Sequence, residues 1–179
     1  WSTHPAEMLT WLIPRFYGGM SNEVYTGEEV PQARGQVVSL YWGHMPFTQS
    51  YEYMGVIALL LTILGLNAHR RDKLVISLSL FAIFLILISF GRHFESLYAL
   101  FFNYIPYFNK FRVPMMTVTI TFFIVAVLSA YGLKYLISLG QEKDDWQNLK
   151  TTLYIIGGFF LLGIIIWLTS TGFNFIKEV

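Results

Sequence analysis

Four long apolar runs constrain this chain more than any other feature. They occupy residues 53–67, 74–90, 113–137 and 152–170, and apart from Lys134 they contain no charged side chain. A helix needs about 20 apolar residues to cross a bilayer, which three of the runs approach or exceed and the first approaches once its flanking tyrosines are included. The predicted fold is therefore all-α: a polytopic helical membrane protein with four transmembrane helices.

Composition agrees with a membrane protein and excludes several other classes. Apolar residues make up 55% of the chain and charged residues 13%, about half the usual charged share. The net charge of +1 provides no basic surface for nucleic acid, and the absence of cysteine excludes disulfides and thiolate chemistry. Because the chain begins at Trp1 without a signal peptide, we expect it to be a fragment with further helices upstream.

The segments outside the apolar runs are predicted to lie on the membrane surface. Residues 1–50 are rich in aromatic side chains and in turn-forming proline and glycine, which favours an extracytoplasmic segment at the interface. Within it, 7–13 is predicted as a short helix and 35–42 has some strand character. Residues 95–104 are predicted to form a short interfacial helix, and 171–179 an extracytoplasmic tail.

The distribution of basic residues predicts the orientation. Six of the twelve Lys and Arg residues fall in two short stretches, 69–73 and 134–150, whereas the other six are spread over 1–52, 91–112 and 171–179. Cytoplasmic loops are enriched in Lys and Arg. We therefore expect both termini on the extracytoplasmic side of the membrane.

A cationic cluster precedes the third predicted span. Lys110 and Arg112 flank Phe111, and Pro114 is suited to the first turn of a helix. Arg92 follows the second span on the same predicted face. Arginine binds phosphate with a planar fork of donors, so these three residues are predicted to bind a lipid phosphate. The alternative is that they are ordinary anchors in the headgroup region.

Two outer carboxylates are the best predicted contacts for a sugar or an acceptor. Glu7 lies among apolar residues near Pro5, and Glu52 lies between two tyrosines at the predicted membrane surface. Trp42 and Tyr17 are predicted to add aromatic faces for sugar stacking. The four histidines, His4, His44, His69 and His93, lack the spacing of metal ligands. No metal site is predicted.

Several motifs occur in the order found in a known family. They are LTWLIPRFYGG at 9–19, YWGHMPFT at 41–48, YMG at 53–55, SFGRH at 89–93 and FNKFRVP at 108–114. Through them, residues 1–137 resemble the YfhO family of bacterial membrane proteins in its Bacteroidetes form. The last span matches that family only loosely.

The resemblance implies the architecture of C-type glycosyltransferases. These enzymes transfer a sugar from a polyprenyl-phosphate carrier to an acceptor outside the cytoplasm. Their catalytic carboxylate, usually an aspartate, lies in the first outer loop, whereas Asp72, Asp144 and Asp145 all fall on the predicted cytoplasmic side. No catalytic residue and no cofactor are therefore predicted for this chain. Its expected partners are membrane lipid, a polyprenyl-phosphate sugar, and upstream helices or other membrane subunits.

Two other functions stay open. A non-catalytic scaffold subunit of a larger membrane complex would have the same apolar spans and aromatic outer segment. A flippase for lipid-linked sugar is less favoured, because the spans lack the intramembrane charges and broken helices that mark transport pathways.

Overall fold

The structure is a computed structural model that describes residues 2–28, 31–45, 48, 52–110, 113–141 and 146–170. The chain divides into two compact units. The first contains Trp1–Val56 and Leu80–Phe123, and the second contains Ile57–Ser79 and Ile124–Val179.

Helices dominate the described residues, which confirms the predicted predominance of helix. The α-helices are α1 Leu9–Leu12, α2 Val56–Ala68, α3 Lys73–Ser89, α4 Glu95–Tyr104, α5 Thr117–Gln141 and α6 Trp146–Ser170. Short 3-10 helices cover Pro5–Met8, Pro31–Ala33, Gly91–Phe94, Phe108–Lys110 and Pro114–Met116. Strands β1 (Glu23–Val24) and β2 (Val37–Val38) pair antiparallel, with Glu23 opposite Val38.

The helices differ in their capacity to cross a bilayer. Among the described residues, the stretch Pro114–Leu139 is long and apolar enough to do so. A second crossing arises if Lys73–Ser89 and Gly91–Tyr104, which are bent by 105° at the break between them, form one broken span. Val56–Ala68 and Leu149–Ile165 are apolar but shorter. All four predicted spans are therefore helical. That all four cross the membrane stays a prediction.

In the first unit, the beginning of the chain is tied to the ends of α3 and α5. The Thr3 amide donates to the Ser89 carbonyl (2.9 Å), and the Thr117 hydroxyl donates to the Leu85 carbonyl (2.9 Å). The indole of Trp11 meets the ring of Phe122 edge-on, with ring centroids 6.0 Å apart. The Thr3 and Trp11 contacts hold the beginning of the chain against α3 and α5, and the Thr117 bond joins these two helices.

In the second unit, α2 and α5 approach closely at two glycines. A β-carbon on Gly132 would lie within 1.9 Å of the Leu61 carbonyl oxygen, and one on Gly65 within 2.7 Å of the Leu128 carbonyl oxygen. The Thr62 hydroxyl donates to the Val125 carbonyl at the same crossing (3.1 Å). Small residues and hydroxyls at helix crossings are typical of membrane helices, where backbones pack closely.

Candidate functional site

Glu7 is a buried carboxylate in the first unit. It belongs to the 3-10 helix Pro5–Met8, in which Pro5 occupies the first turn. His4 precedes this helix and caps its N-terminus, because its Nδ1 accepts the Ala6 amide (3.2 Å). The helix continues directly into α1, so Glu7 and Trp11, four residues apart, lie on the same side of it. Both are buried: Glu7 is 5% exposed and Trp11 is 4% exposed. A carboxylate this buried requires hydrogen-bond donors.

The donors come from a distant segment. The Tyr41 hydroxyl donates to Glu7 Oε1 at 2.5 Å, and the His44 amide donates to the same oxygen at 2.7 Å. The Met45 amide in turn donates to the Tyr41 oxygen (2.9 Å). Burial, and then the hydrogen bond to Glu7, raise the pKa of Tyr41 above its ordinary value of 10.0. Tyr41 therefore stays a neutral donor to the carboxylate at physiological pH.

Glu52 provides a second carboxyl group. Its Oε2 accepts the indole N–H of Trp11 at 3.2 Å, and the Met54 amide donates to the Trp11 carbonyl (3.2 Å). Burial raises the pKa of Glu52 above its ordinary value of 4.5; the Trp11 bond opposes this rise and the charge of Glu7 adds to it. Glu52 thus holds its proton more tightly than an exposed glutamate does, because burial disfavours its charged form.

These groups line one pocket with a volume of about 40 Å³. That space is sufficient for a water molecule or a single hydroxymethyl group. Its walls are Thr3, Glu7, Thr10, Arg15, Tyr17, Gly18, Gly19, Tyr41, Met45, Thr48, Glu52 and Tyr53. Thr3 is 1% exposed, and its Oγ1 has no hydrogen-bond partner among the described residues. The pocket therefore offers a hydroxyl and two carboxyl groups to a polar ligand.

An aromatic pair lies at one side of the pocket. Tyr17 lines it, and Trp42 packs on Tyr17 with ring centroids 4.8 Å apart. Burial, and then the charge of Glu7, raise the pKa of Tyr17. Gly18 makes the packing possible, because it has a φ of +83° and a β-carbon there would meet the Trp42 ring at 2.8 Å. Trp42 itself lies outside the lining and is 39% exposed.

Glu7, Glu52 and Tyr17, predicted separately as sugar or acceptor contacts, thus lie in one pocket, with Trp42 next to it. Tyr41, Thr3 and Trp11 were not predicted. No local pattern identifies them, because the bonds from Tyr41 to Glu7, from Trp11 to Glu52 and from Thr3 to Ser89 span 34, 41 and 86 residues.

The structure describes two of the three residues that are predicted to bind a lipid phosphate. Arg92 lies in the 3-10 helix Gly91–Phe94 with an exposed side chain, and its amide donates to the Ser2 hydroxyl (3.2 Å). Lys110 ends the 3-10 helix Phe108–Lys110 and is also exposed. Arg112 falls outside the described residues. Their joint binding of phosphate stays a prediction.

Three histidines that are scattered in the sequence meet in the first unit. His4 stacks on His44 with ring centroids 4.0 Å apart and meets His93 edge-on at 4.8 Å. Spacing along the chain gave no sign of these contacts, because the partners lie 40 and 89 residues apart. Within the described part of the chain, no group of three or more His, Asp or Glu residues has the geometry of a metal site.

No family model, no curated protein and no solved structure matches this chain. The resemblance to the YfhO family therefore rests on the ordered motifs alone.

Proposed function

We propose that the chain is part of a polytopic membrane protein that transfers a sugar from a polyprenyl-phosphate donor on the outer face of the bacterial inner membrane. In this proposal, the pocket of Glu7, Glu52 and Tyr17 contacts a hydroxyl group of the sugar or of the acceptor. Lys110, Arg112 and Arg92 bind the phosphate of the carrier.

The convergence of Glu7, Glu52 and Tyr17 in one pocket carries the proposal. Sugars are recognised by carboxylate oxygens that accept hydrogen bonds from their hydroxyl groups and by aromatic rings that pack on their C–H faces. The pocket has both features, and the Thr3 hydroxyl supplies a further donor or acceptor. Its volume suits one hydroxyl-bearing arm of a sugar, with the ring itself against Tyr17 and Trp42.

Exposed apolar faces on the helices support the membrane part of the proposal. Ile57 on α2, Phe123 on α5 and Phe160 on α6 are 74%, 70% and 62% exposed. Many exposed leucine, isoleucine and phenylalanine side chains accompany them on the same helices. Water-soluble proteins rarely leave apolar surfaces of this extent uncovered, whereas lipid chains cover them at no cost.

The test is glycosyl transfer and sugar binding by the full-length protein in lipid nanodiscs, supplied with a polyprenyl-phosphate sugar. Glu7→Gln removes the charge from the pocket while preserving the side-chain shape, and it should weaken sugar binding about tenfold or more. Glu28→Gln, on an exposed position, is the matched control. Equal binding by the Glu7→Gln variant and the unsubstituted protein would remove the pocket from the proposal.

A scaffold subunit is the second candidate function, and α6 favours it. Leu153, Tyr154 and Leu161 on this helix are 59%, 77% and 60% exposed, and a β-carbon on Gly157 or Gly158 would meet nothing within 4 Å. Such a face can pack against a helix of another subunit. Stoichiometric co-purification of a second membrane protein, together with the absence of glycosyl transfer, would favour the scaffold.

A further inference from the structure

The histidine cluster of the first unit consists of His4, His44 and His93, with Arg92 beside it. His4 occupies the centre, between the stacked ring of His44 and the edge-on ring of His93. The Arg92 Nε donates to His93 Nε2 at 3.3 Å. His44, His93 and Arg92 are exposed, so a solute can reach the cluster from solvent.

The hydrogen bonds of two rings indicate where their protons lie. His4 Nδ1 accepts the Ala6 amide, so the neutral ring carries its proton on Nε2. His93 Nε2 accepts from Arg92, whose guanidinium is always protonated, so the proton of His93 lies on Nδ1. Each ring therefore has one N–H group that these bonds leave available to an acceptor.

The charges around the cluster favour an anion. In the described part of the chain, Arg92 has no carboxylate within ion-pair distance. The carboxylate of Glu7 is the acidic group next to the cluster, but it is buried and its Oε1 already accepts from Tyr41 and from the His44 amide. Tyr17 is a further titratable neighbour, with its ring 5.7 Å from that of His44, and the exposed Glu95 follows two residues after His93.

Proton binding to His93 is unfavourable without a counter-ion. Partial burial, and then the neighbouring His4, Arg92 and His44, lower the pKa of His93. A bound dianion would offset this repulsion, because it interacts favourably with every proton added to the rings.

We propose that His4, His44, His93 and Arg92 form a binding site for a phosphate group. Phosphate has several acceptor oxygens, which suits imidazole N–H donors and the planar fork of Arg92. The group has two possible sources, free inorganic phosphate or the headgroup of a phosphate-bearing lipid. The site shares Arg92 with the proposed carrier site, but it requires neither sugar transfer nor Arg112.

Proton uptake should accompany binding. Protonation of His93 is unfavourable in the free protein and favourable beside the anion, so binding of the phosphate dianion should be accompanied by proton uptake at His93.

The test is a titration of the full-length, detergent-solubilised protein with inorganic phosphate, followed by NMR of ¹⁵N-labelled imidazoles. The resonances of His4, His44 and His93 should shift, and that of His69, which lies in the second unit, should not. Arg92→Gln should weaken binding about tenfold or more. His4→Asn removes the ring but keeps a side-chain acceptor at the helix N-cap. This variant should also bind phosphate more weakly, and the loss would not come from an uncapped helix. His69→Gln is the matched control.

A parallel binding assay with vesicles identifies the source. Shifts with free phosphate assign the site to a soluble ligand, and shifts that require phosphatidic acid in phosphatidylcholine vesicles assign it to a lipid headgroup. Absence of shifts in both arms, or equal affinity for Arg92→Gln, His4→Asn and the unsubstituted protein, would overturn the proposal. Neither result depends on glycosyl transfer, which is measured separately.

Discussion

The Tyr41 hydroxyl donates a 2.5 Å hydrogen bond to Oε1 of Glu7 across 34 residues of chain. Together with the His44 amide on the same oxygen, this bond connects the first helical segment of the chain to the segment that follows β2. It also explains how Glu7 remains a buried carboxylate without an ion pair among the described residues, because charge-assisted hydrogen bonds replace the water that burial removes.

Tyr41→Phe should destabilise the protein by about 1.5–3 kcal/mol, because it removes a hydrogen bond to a buried charged group. It also leaves the Met45 amide without its acceptor. Thermal unfolding in detergent measures the effect. Tyr104→Phe, at a side chain that is 80% exposed, is the control and should unfold at the temperature of the unsubstituted protein. If both variants unfold alike, the Glu7–Tyr41 bond contributes little to stability.

Glu52→Gln should flatten the dependence of stability on pH. Since the pKa of Glu52 is raised in the folded protein, the folded state binds its proton more tightly than the unfolded chain does. The free energy of unfolding therefore falls as the pH rises from about the ordinary value of 4.5 through the raised pKa. Glutamine cannot titrate, yet its oxygen still accepts from Trp11.

The measurement for Glu52→Gln is chemical unfolding at a series of pH values from acid to neutral. Glu28→Gln removes an exposed carboxyl group and controls for the loss of one charge. A variant whose stability falls over this pH interval as steeply as that of the unsubstituted protein would contradict the prediction.

Gly132→Ala should separate α2 from α5. The new methyl group would lie within 1.9 Å of the Leu61 carbonyl oxygen, and backbone cannot move aside as a flexible side chain does. Such overpacking costs about 1–3 kcal/mol. Gly163→Ala is the matched control, because a β-carbon there meets nothing within 4 Å. That change should be neutral or slightly stabilising, since alanine favours helix over glycine by about 1 kcal/mol. Unfolding in detergent compares the two.

Arg112→Lys should weaken binding of the lipid-linked donor by about 1.5–3 kcal/mol, or roughly one to two decades. Lysine retains the charge but loses the planar fork that binds phosphate through two bonds. Arg34→Lys, on an exposed turn, should bind the donor as the unsubstituted protein does. Equal affinity for both variants would leave Arg112 as an ordinary anchor at the membrane surface.

Single cysteines should report the orientation, and the chain has no cysteine of its own. Cysteines in place of Glu28 and Ser96 should react with an impermeant thiol reagent in intact cells, because both positions are predicted to be extracytoplasmic and both are exposed. A cysteine in place of Asp72, between two predicted spans, should react only after lysis. The opposite pattern would invert the topology.

The helices could be predicted from the sequence because helix formation is local. α2, α3, α5 and α6 follow the four apolar runs to within a few residues, and α4 covers the predicted interfacial helix at 95–104. The predicted helix at 7–13 appears as a 3-10 helix followed by α1, since Pro5 favours a tight first turn. Only Val37–Val38 of the 35–42 segment forms a strand, because β1, the strand with which it pairs, is two residues long.

By itself, the sequence determined the apolar runs, the cationic cluster before the third run and the residue types suited to sugar contact. The tertiary structure decided which of these side chains meet. Glu7 became a buried acceptor because Tyr41 and His44 approach it, and Glu52 joined the same site through the indole of Trp11. The stack of His4 on His44 likewise depends on chain closure over 40 residues. Long-range closure depends on the summed packing of many residues, so no local motif encodes it.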